Sequence, residues 1–254
     1  MTTTTQIFGI ENLGNTCFFN SLFQTLFSSK LFVDYNIKYG KDTSLMKFII
    51  ETIVEKKEFH YNAYKKLITL CYNRFGNQED SDEYFIKIIN SLDENIQNLF
   101  KITITNDFKC RLCGYTATSK EESLYYHADD HTPLLLPQHS TGDCEKCCNQ
   151  KVVSNPLFPR AGTNHDTLNI ISQITTLPTL LYIVFSAKKN YDLPEKLKNY
   201  TLIGYIIHVP GHYYCYGRRG AKVYQFNDSS VSVSAFESPV RCRVALYSTW
   251  TTDT

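Results

Sequence analysis

The chain has 254 residues, of which 43% are hydrophobic, so it can bury the core of one large domain or of two closely packed lobes. Its 26 lysines and arginines nearly balance 25 aspartates and glutamates, so bulk charge does not select a nucleic acid or a membrane surface as a partner. No apolar run reaches the roughly 18 residues of a membrane span, and nine cysteines without a recognisable signal peptide favour reduced thiols in an intracellular protein of the cytoplasm, the nucleus or both.

The first hundred residues have the three-and-four spacing of amphipathic helices, and the remainder has the patterns of strands. Helices are predicted at 17–28, 45–55, 61–72 and 80–99. The alternation of isoleucine and threonine at 102–105 predicts a strand, as do the apolar stretches at 180–185, 202–209, 223–226 and 241–247. Helices followed by strands indicate the α+β fold class.

Cys17 is the first candidate for chemistry. It follows a loop that contains Gly9 and Gly14, and it falls in the first turn of the first predicted helix, after the good N-cap residues Asn15 and Thr16. Helix N-termini favour negative charge, so this position is expected to lower the pKa of a thiol. Position alone leaves two interpretations open: a nucleophile, or a small buried hydrophobic residue.

A candidate base, His212, lies near the other end of the chain. It follows Gly211, and a predicted turn at 218–220 folds the next strand back so that Asn227 can lie beside the imidazole. A hydrogen bond to one ring nitrogen determines which nitrogen faces the thiol. The alternatives are a histidine of the core or rim and an ordinary turn at 227–230.

Two Cys-x-x-Cys pairs indicate a metal site. Cys110 and Cys113 form the first pair, Cys144 and Cys147 form the second, and Cys148 is an alternative to Cys147. Four thiolates can hold a tetrahedral zinc ion, and a site closed by four protein ligands is typical of a structural Zn2+ rather than a catalytic one.

The segments that carry these residues resemble, in the same order, those of the ubiquitin-specific proteases, a family of papain-like deubiquitinating cysteine proteases. Residues 9–21 resemble its cysteine box, 200–236 its histidine box and 78–84 the start of a helix that contacts ubiquitin. The paired cysteine motifs resemble its zinc-bearing Fingers. The resemblance implies one catalytic domain over 1–254, near-minimal in length, with a helical Thumb at about 9–100 and a β Palm at 101–254. The Fingers lie around 101–185.

The resemblance also implies catalytic roles. Cys17 is the expected nucleophile, His212 the general base and Asn227 the third member of the triad. Asp228 is expected to assist the histidine or to take part of the role of Asn227. Asn12 is expected to supply a donor to the oxyanion, although a residue of an ordinary loop turn is the alternative.

The expected reaction is hydrolysis of the (iso)peptide bond after the C-terminal glycine of ubiquitin, with ubiquitin or a ubiquitinated protein as partner and the enzyme as a monomer. Only Val209 and Pro210 separate His208 from Gly211. The loop that gates the tail channel in the family is therefore shortened here. The alternatives are a protease for a ubiquitin-like modifier and an inactive ubiquitin-binding module. The expected substrate-binding residues are Gln78, Asp80, Glu83, His208, Gly211 and Tyr213.

Overall fold

The computed structural model describes residues 7–54, 59–71, 80–128, 135–144, 146, 167–186 and 189–249. The predicted substrate residue Gln78, the predicted zinc ligand Cys147 and its alternative Cys148 lie outside these ranges. Within them the chain forms six helices followed by twelve strands, which confirms the α+β class.

The helices lie where the periodicity predicts them, with two differences. The predicted helix at 80–99 is divided, because Leu92 is extended and the side chain of Asp93 caps a new helix by accepting the Asn95 N–H at 2.9 Å. A further helix was not predicted; Ser29 caps it by accepting the Phe32 N–H. The six helices are α1 (Cys17–Leu26), α2 (Lys30–Tyr39), α3 (Leu45–Val54), α4 (Tyr61–Cys71), α5 (Ser81–Ser91) and α6 (Glu94–Gln97).

The strands form two sheets. An eight-stranded sheet has the order β11-β10-β9-β8-β12-β6-β3, with β7 paired to β8, and a four-stranded sheet has the order β2-β1-β5-β4. The strands are β1 (Ile102–Cys110), β2 (Thr116–Ser123), β3 (Tyr126–His127), β4 (Gln138–Gly142), β5 (Leu168–Thr176), β6 (Leu180–Val184), β7 (Lys196–Leu197), β8 (Tyr200–Val209), β9 (His212–Arg219), β10 (Lys222–Asn227), β11 (Ser230–Ser234) and β12 (Cys242–Ser248).

The chain divides into two compact units. Unit 1 comprises residues 1–101, 124–128 and 178–254, and it contains the helices and the eight-stranded sheet. Unit 2 comprises residues 102–123 and 129–177 and contains the four-stranded sheet. The single catalytic domain with Thumb, Palm and Fingers remains a prediction.

Helix α1 lies in the core of unit 1. All ten of its residues are buried, and it packs against β8, β9 and β10 as well as α5. Its aromatic residues Phe18, Phe19 and Phe23 are fully buried among rings that include Tyr64 and Tyr84. A helix buried on all sides holds its first turn rigidly. None of the described helices has the length and hydrophobicity needed to cross a membrane.

Candidate active site

A tight loop directly precedes α1. Gly14 and Asn15 both have positive φ, +92° and +58°, so the backbone reverses immediately before the helix. Thr16 is the N-cap, but its hydroxyl accepts the Leu13 N–H at 2.9 Å and makes no side-chain cap to the helix. Its carbonyl accepts the first helical N–H groups instead. Cys17 is therefore the first residue of α1.

Burial determines the protonation of Cys17. The residue is 1% exposed, and this burial raises the pKa of its thiol above the ordinary value. The charge of Asp228 raises the pKa further, whereas backbone N–H groups, chiefly that of Tyr213, lower it. The expectation that the helix N-terminus would lower this pKa was wrong, because desolvation outweighs the N–H groups around the sulfur.

His212 lies next to a two-residue turn. Val209 pairs with His212 across β8 and β9, and Gly211 in the turn between them has φ of +79°. The imidazole Nε2 lies 2.7 Å from Oδ1 of Asn227. Because a carbonyl oxygen only accepts, Nε2 carries the proton and Nδ1 is left as the basic nitrogen of the neutral ring. The turn has the short length that the sequence indicates, and its effect on gating remains a prediction.

Tyr213 connects the predicted residues. Its backbone N–H donates to the thiol of Cys17, so the contact with this thiol lies one residue after His212 in the chain. Its ring stacks on His208 with centroids 4.2 Å apart, and its hydroxyl donates to Oδ1 of Asp80 at 3.0 Å. Three distant parts of the chain, at Cys17, at Asp80 and at 208–213, are thus connected through Tyr213, and the catalytic and binding roles of these residues remain predictions.

Asn12 is fixed at both ends of its amide. Its Oδ1 accepts the N–H groups of Gly14 and Thr16 at 3.0 and 3.1 Å, and its Nδ2 donates to Oδ2 of Asp228 at 3.0 Å. The side chain is exposed. An amide nitrogen has two N–H groups, so one can bind Asp228 while the other serves a substrate oxygen.

Asp228 faces the loop of Asn12, and the imidazole of His212 donates its hydrogen bond to Asn227 instead. The carboxylate of Asp228 accepts from Asn12 and, at 2.7 Å, from Nδ2 of Asn20. Its carbonyl accepts the Ile10 N–H at 2.9 Å, so backbone and side chain both bind the segment before α1. The geometry therefore favours support of Asn12 over the predicted assistance to the imidazole.

Asn20 was missed by the sequence analysis. It is 3% exposed, one helical turn after Cys17, and its Oδ1 accepts a hydrogen bond from the hydroxyl of Tyr64. The available signal was an amide directly after Phe18 and Phe19 in the predicted helix, because a buried amide requires partners. Those partners, Tyr64 and Asp228, lie 44 and 208 residues away in the chain.

Acidic residues begin α5. Asp80 is the N-cap residue, and its side chain is half exposed. Glu83 is exposed. Asp82 is bound by Arg243, whose Nη2 lies 3.0 Å from both carboxylate oxygens. Arg243 is a second residue that the sequence analysis did not identify.

Unit 2 contains a separate cluster of three predicted zinc ligands. The sulfur atoms of Cys110, Cys113 and Cys144 all lie within 4.8 Å of one another, and those of Cys113 and Cys144 are 3.8 Å apart. Zn–S bonds of about 2.3 Å in a tetrahedron put neighbouring sulfur atoms about 3.8 Å apart. The Cys113 N–H donates to the Cys110 sulfur, and Gly114 has φ of +68°, so the loop turns around one point. These three thiols can hold a metal ion.

Comparisons with known proteins agree with this arrangement. The profile of the family described as "Ubiquitin carboxyl-terminal hydrolase" matches residues 8–247. No curated protein matches the sequence significantly.

Solved structures that resemble the chain include assemblies of Ubp8, and at this level of identity they show the fold. The SAGA DUB module of Ubp8, Sgf11, Sus1 and Sgf73 bound to monoubiquitin is 18% identical with a TM-score of 0.70, over 98% of this chain and 70% of that chain. The yeast SAGA DUB module with an Sgf73 mutant is 18% identical with a TM-score of 0.70, over 98% and 69%. The Ubp8 module bound to ubiquitin aldehyde is 17% identical with a TM-score of 0.67, over 98% and 70%. The family match confirms the resemblance to ubiquitin-specific proteases: the chain belongs to the ubiquitin carboxyl-terminal hydrolase family and is a cysteine-type deubiquitinase.

Proposed function

We propose that the chain hydrolyses the (iso)peptide bond after the C-terminal glycine of ubiquitin, with Cys17 as nucleophile and His212 as general base. The observation that carries this proposal is the arrangement at the start of β9. There Nε2 of His212 binds Asn227, and the next N–H along the chain, that of Tyr213, binds the thiol of Cys17. A thiol, an imidazole and a residue that orients the imidazole are the parts required by nucleophilic catalysis.

The chemistry begins with a protonated thiol at Cys17. Because burial keeps the thiol of Cys17 protonated, Nδ1 of His212 takes the thiol proton as the sulfur attacks the carbonyl carbon. The oxyanion that forms accepts the second amide N–H of Asn12 and nearby backbone N–H groups. The imidazolium then gives its proton to the leaving amine as the C–N bond breaks, which leaves a thioester. Water deprotonated by the same imidazole hydrolyses the thioester and restores the thiol.

Asn227 orients the imidazole and adds no negative charge. Its Oδ1 accepts the Nε2 proton, which keeps Nδ1 basic and directed away from the hairpin. A thiol ionises more readily than a serine hydroxyl, so it depends less on a charged third residue. Asp228 contributes through Asn12, whose donor it holds in place.

The start of α5 supplies charge for a basic tail. Asp80 and Glu83 share a face of the helix, because residues three apart are neighbours on its surface. A cationic residue near the end of the modifier tail gains charge-assisted hydrogen bonds there. His208, Gly211 and Tyr213 form the adjoining wall beside the nucleophile.

Ubiquitin is the proposed partner. Two similar structures are Ubp8 modules bound to monoubiquitin and to ubiquitin aldehyde, and a hydrogen bond joins two of the proposed binding residues, Tyr213 and Asp80, in this chain. Since the same structures contain Ubp8 with other subunits, a monomer remains a prediction, tested by the mass of the purified chain in solution. The free thiols of the described cysteines fit a reducing compartment, and we propose an intracellular location.

A ubiquitin probe with an electrophile at its C-terminus tests the proposal. We expect the wild type to form a covalent adduct with this probe and not with probes made from ubiquitin-like modifiers. Cys17→Ala should form no adduct, whereas Cys215→Ala, which removes a buried thiol outside the site, should react like the wild type. A wild type that binds ubiquitin without ever forming the adduct would instead be a binding module. Adducts with another modifier alone would reassign the substrate.

We also propose that Zn2+ is held by Cys110, Cys113, Cys144 and Cys147. The spacing of the three described sulfur atoms supports a tetrahedral site, and four thiolates leave no open position for chemistry. The ion would therefore stabilise unit 2 and take no part in the reaction. Metal analysis should find one zinc per chain in the wild type and little in Cys113→Ser, with a lower folded yield. Comparing Cys147→Ser with Cys148→Ser identifies the fourth ligand. Active wild type without zinc would refute the proposal.

A further inference from the structure

Arg243 lies at a break in the regular pairing of β12. Cys242 pairs with Ile207 of β8, whereas Val244 pairs with Ile206, so Arg243 is one extra residue on its strand. Such a bulge disturbs the alternation of side chains and can redirect one of them. Val244 belongs to the core that includes the helices, and the side chain of Arg243 reaches α5. Two successive residues therefore face the same side of the sheet.

The guanidinium of Arg243 connects three elements. Its Nη2 donates to both carboxylate oxygens of Asp82 at 3.0 Å and lies 3.5 Å from Oδ2 of Asp80. Its Nη1 donates to the carbonyl of Phe185 at 2.8 Å, and the Phe185 N–H donates to the Arg243 carbonyl at 2.9 Å. The side chain is 16% exposed, so solvent screens these contacts less than it would screen a surface ion pair. Burial lowers the pKa of Arg243, but the two carboxylates raise it more.

The acids of α5 are consequently in different situations. The carboxylate of Asp82 is paired with the guanidinium of Arg243. Asp80 makes no cap to its own helix and is held through Tyr213 and the edge of the guanidinium. Glu83 is exposed, and no side-chain contact to it is seen in the described part of the chain. The acids that remain for a cationic ligand are thus Asp80 and Glu83, on a helix turn whose position depends on Arg243.

We infer that Arg243 is a positioning residue: it holds the first turn of α5 against β12, and thereby determines where Asp80 and Glu83 meet the basic tail of the substrate. This inference rests on the proposed function. It concerns a residue on the last strand, outside both catalytic segments.

The two possible roles of Arg243, positioning the helix turn and contributing charge, predict opposite effects of its removal on substrate binding. If Arg243 acted only through its charge, its removal would leave the groove more negative and a basic tail would bind more tightly. If it acts by position, its removal frees the turn and the tail binds more weakly. The variant Arg243→Lys separates the two effects. Lysine keeps the positive charge, but it lacks the planar guanidinium that binds the Asp82 carboxylate and the Phe185 carbonyl at the same time.

The test is steady-state hydrolysis of a ubiquitin–rhodamine substrate by Arg243→Met, Arg243→Lys and Arg241→Met. The last variant is the matched control for charge, since the charges of Arg241 and Arg243 both act on His208, whereas Arg241 is exposed and lies two residues away. We expect KM to rise about tenfold in Arg243→Met and by less in Arg243→Lys, a change of about 1.4 kcal/mol or below. Arg241→Met should not raise KM, and kcat should change by less than about twofold throughout.

The outcomes are distinct. An unchanged or lower KM in Arg243→Met, or a fall in kcat at constant KM, overturns the inference, because the first indicates charge alone and the second a general structural role. If Arg243→Met fails to fold, Arg243→Lys decides by the same criterion. A wild type that does not cleave the substrate refutes the proposed function itself and, with it, the inference.

Discussion

Replacing Asp228 by asparagine should slow hydrolysis and at the same time make the thiol of Cys17 easier to alkylate. The two effects have separate causes. The carboxylate of Asp228 holds Asn12, the expected oxyanion donor, and its negative charge raises the pKa of Cys17. Asparagine disturbs the first interaction and removes the second.

The size of the first effect follows from the hydrogen bonds. Asp228 accepts from Nδ2 of Asn12 at 3.0 Å and from Nδ2 of Asn20 at 2.7 Å, one bond to each carboxylate oxygen. An asparagine has only one acceptor oxygen, so one of these N–H groups would face an NH2 group. A hydrogen bond to a charged group contributes about 1.5–3 kcal/mol. If the transition state loses this hydrogen-bond stabilisation, kcat should drop by about one to two powers of ten.

The second effect has the opposite sign. Removing the charge of Asp228 lowers the pKa of Cys17, so a larger fraction of the thiol is ionised at neutral pH. Iodoacetamide reacts with the thiolate and needs no oxyanion donor. Its rate with Asp228→Asn should therefore exceed the wild-type rate at about pH 7 and converge with it at high pH, where both thiols are ionised.

The assay measures kcat on ubiquitin–rhodamine and the alkylation rate of Cys17 against pH for the same preparations. Asn227→Ala is the matched control, since it loosens the imidazole without removing a charge from the neighbourhood of the thiol. It should slow hydrolysis without the gain in alkylation. If hydrolysis and alkylation fall together in Asp228→Asn, the carboxylate acts through His212 or through folding, and the reasoning is refuted.

Two further predictions concern the framework. Arg219→Met should lower the free energy of unfolding by about 1.5–3 kcal/mol in urea titrations, because this buried guanidinium donates to two oxygens of Gln24 near the end of α1 and stacks on a ring. Arg218→Met, which breaks an ion pair with a largely exposed glutamate, should cost about 1 kcal/mol or less, and equal losses would contradict the assignment. Burial raises the pKa of Cys215 to about 12, above its value in the unfolded chain, so its contribution to stability is complete below about pH 9 and is lost as pH rises toward 12. Cys215→Ala should lose less stability than the wild type over that range, and parallel curves would contradict the prediction.

The sequence predicted the parts of this site that are encoded locally. Periodicity predicted the helix of Cys17, alternation or apolar runs predicted β1, β6, β8, β10 and β12, and a turn between two strands placed Asn227 beside His212. Each of these features depends on residues that are close in the chain or on a recognisable segment. The β-bulge at Arg243 has no such signal, because it depends on the pairing register of β8 and β12, which cannot be read from the sequence.

The contacts that were missed join residues from distant parts of the chain. Asn20 and Asp228 are separated by 208 residues, and Arg243 and Asp82 by 161. The pKa of Cys17 was predicted in the wrong direction for a related reason. The helix N-terminus is visible in the sequence, whereas the burial that outweighs it arises only when the sheet packs against α1.

The raised pKa of Cys17 and the neutral third residue are consistent with each other. An aspartate in place of Asn227 would stabilise an imidazolium and so favour a thiolate–imidazolium pair before substrate arrives. Here the imidazole has an amide partner, and the acid next to it, Asp228, is directed to Asn12. Charge at the thiol is therefore disfavoured by burial and by Asp228 together. In the proposed mechanism, proton transfer to His212 becomes favourable when a carbonyl lies beside Asn12 and can take the negative charge, so the mechanism predicts that the reactivity of the thiol is coupled to the placement of the substrate.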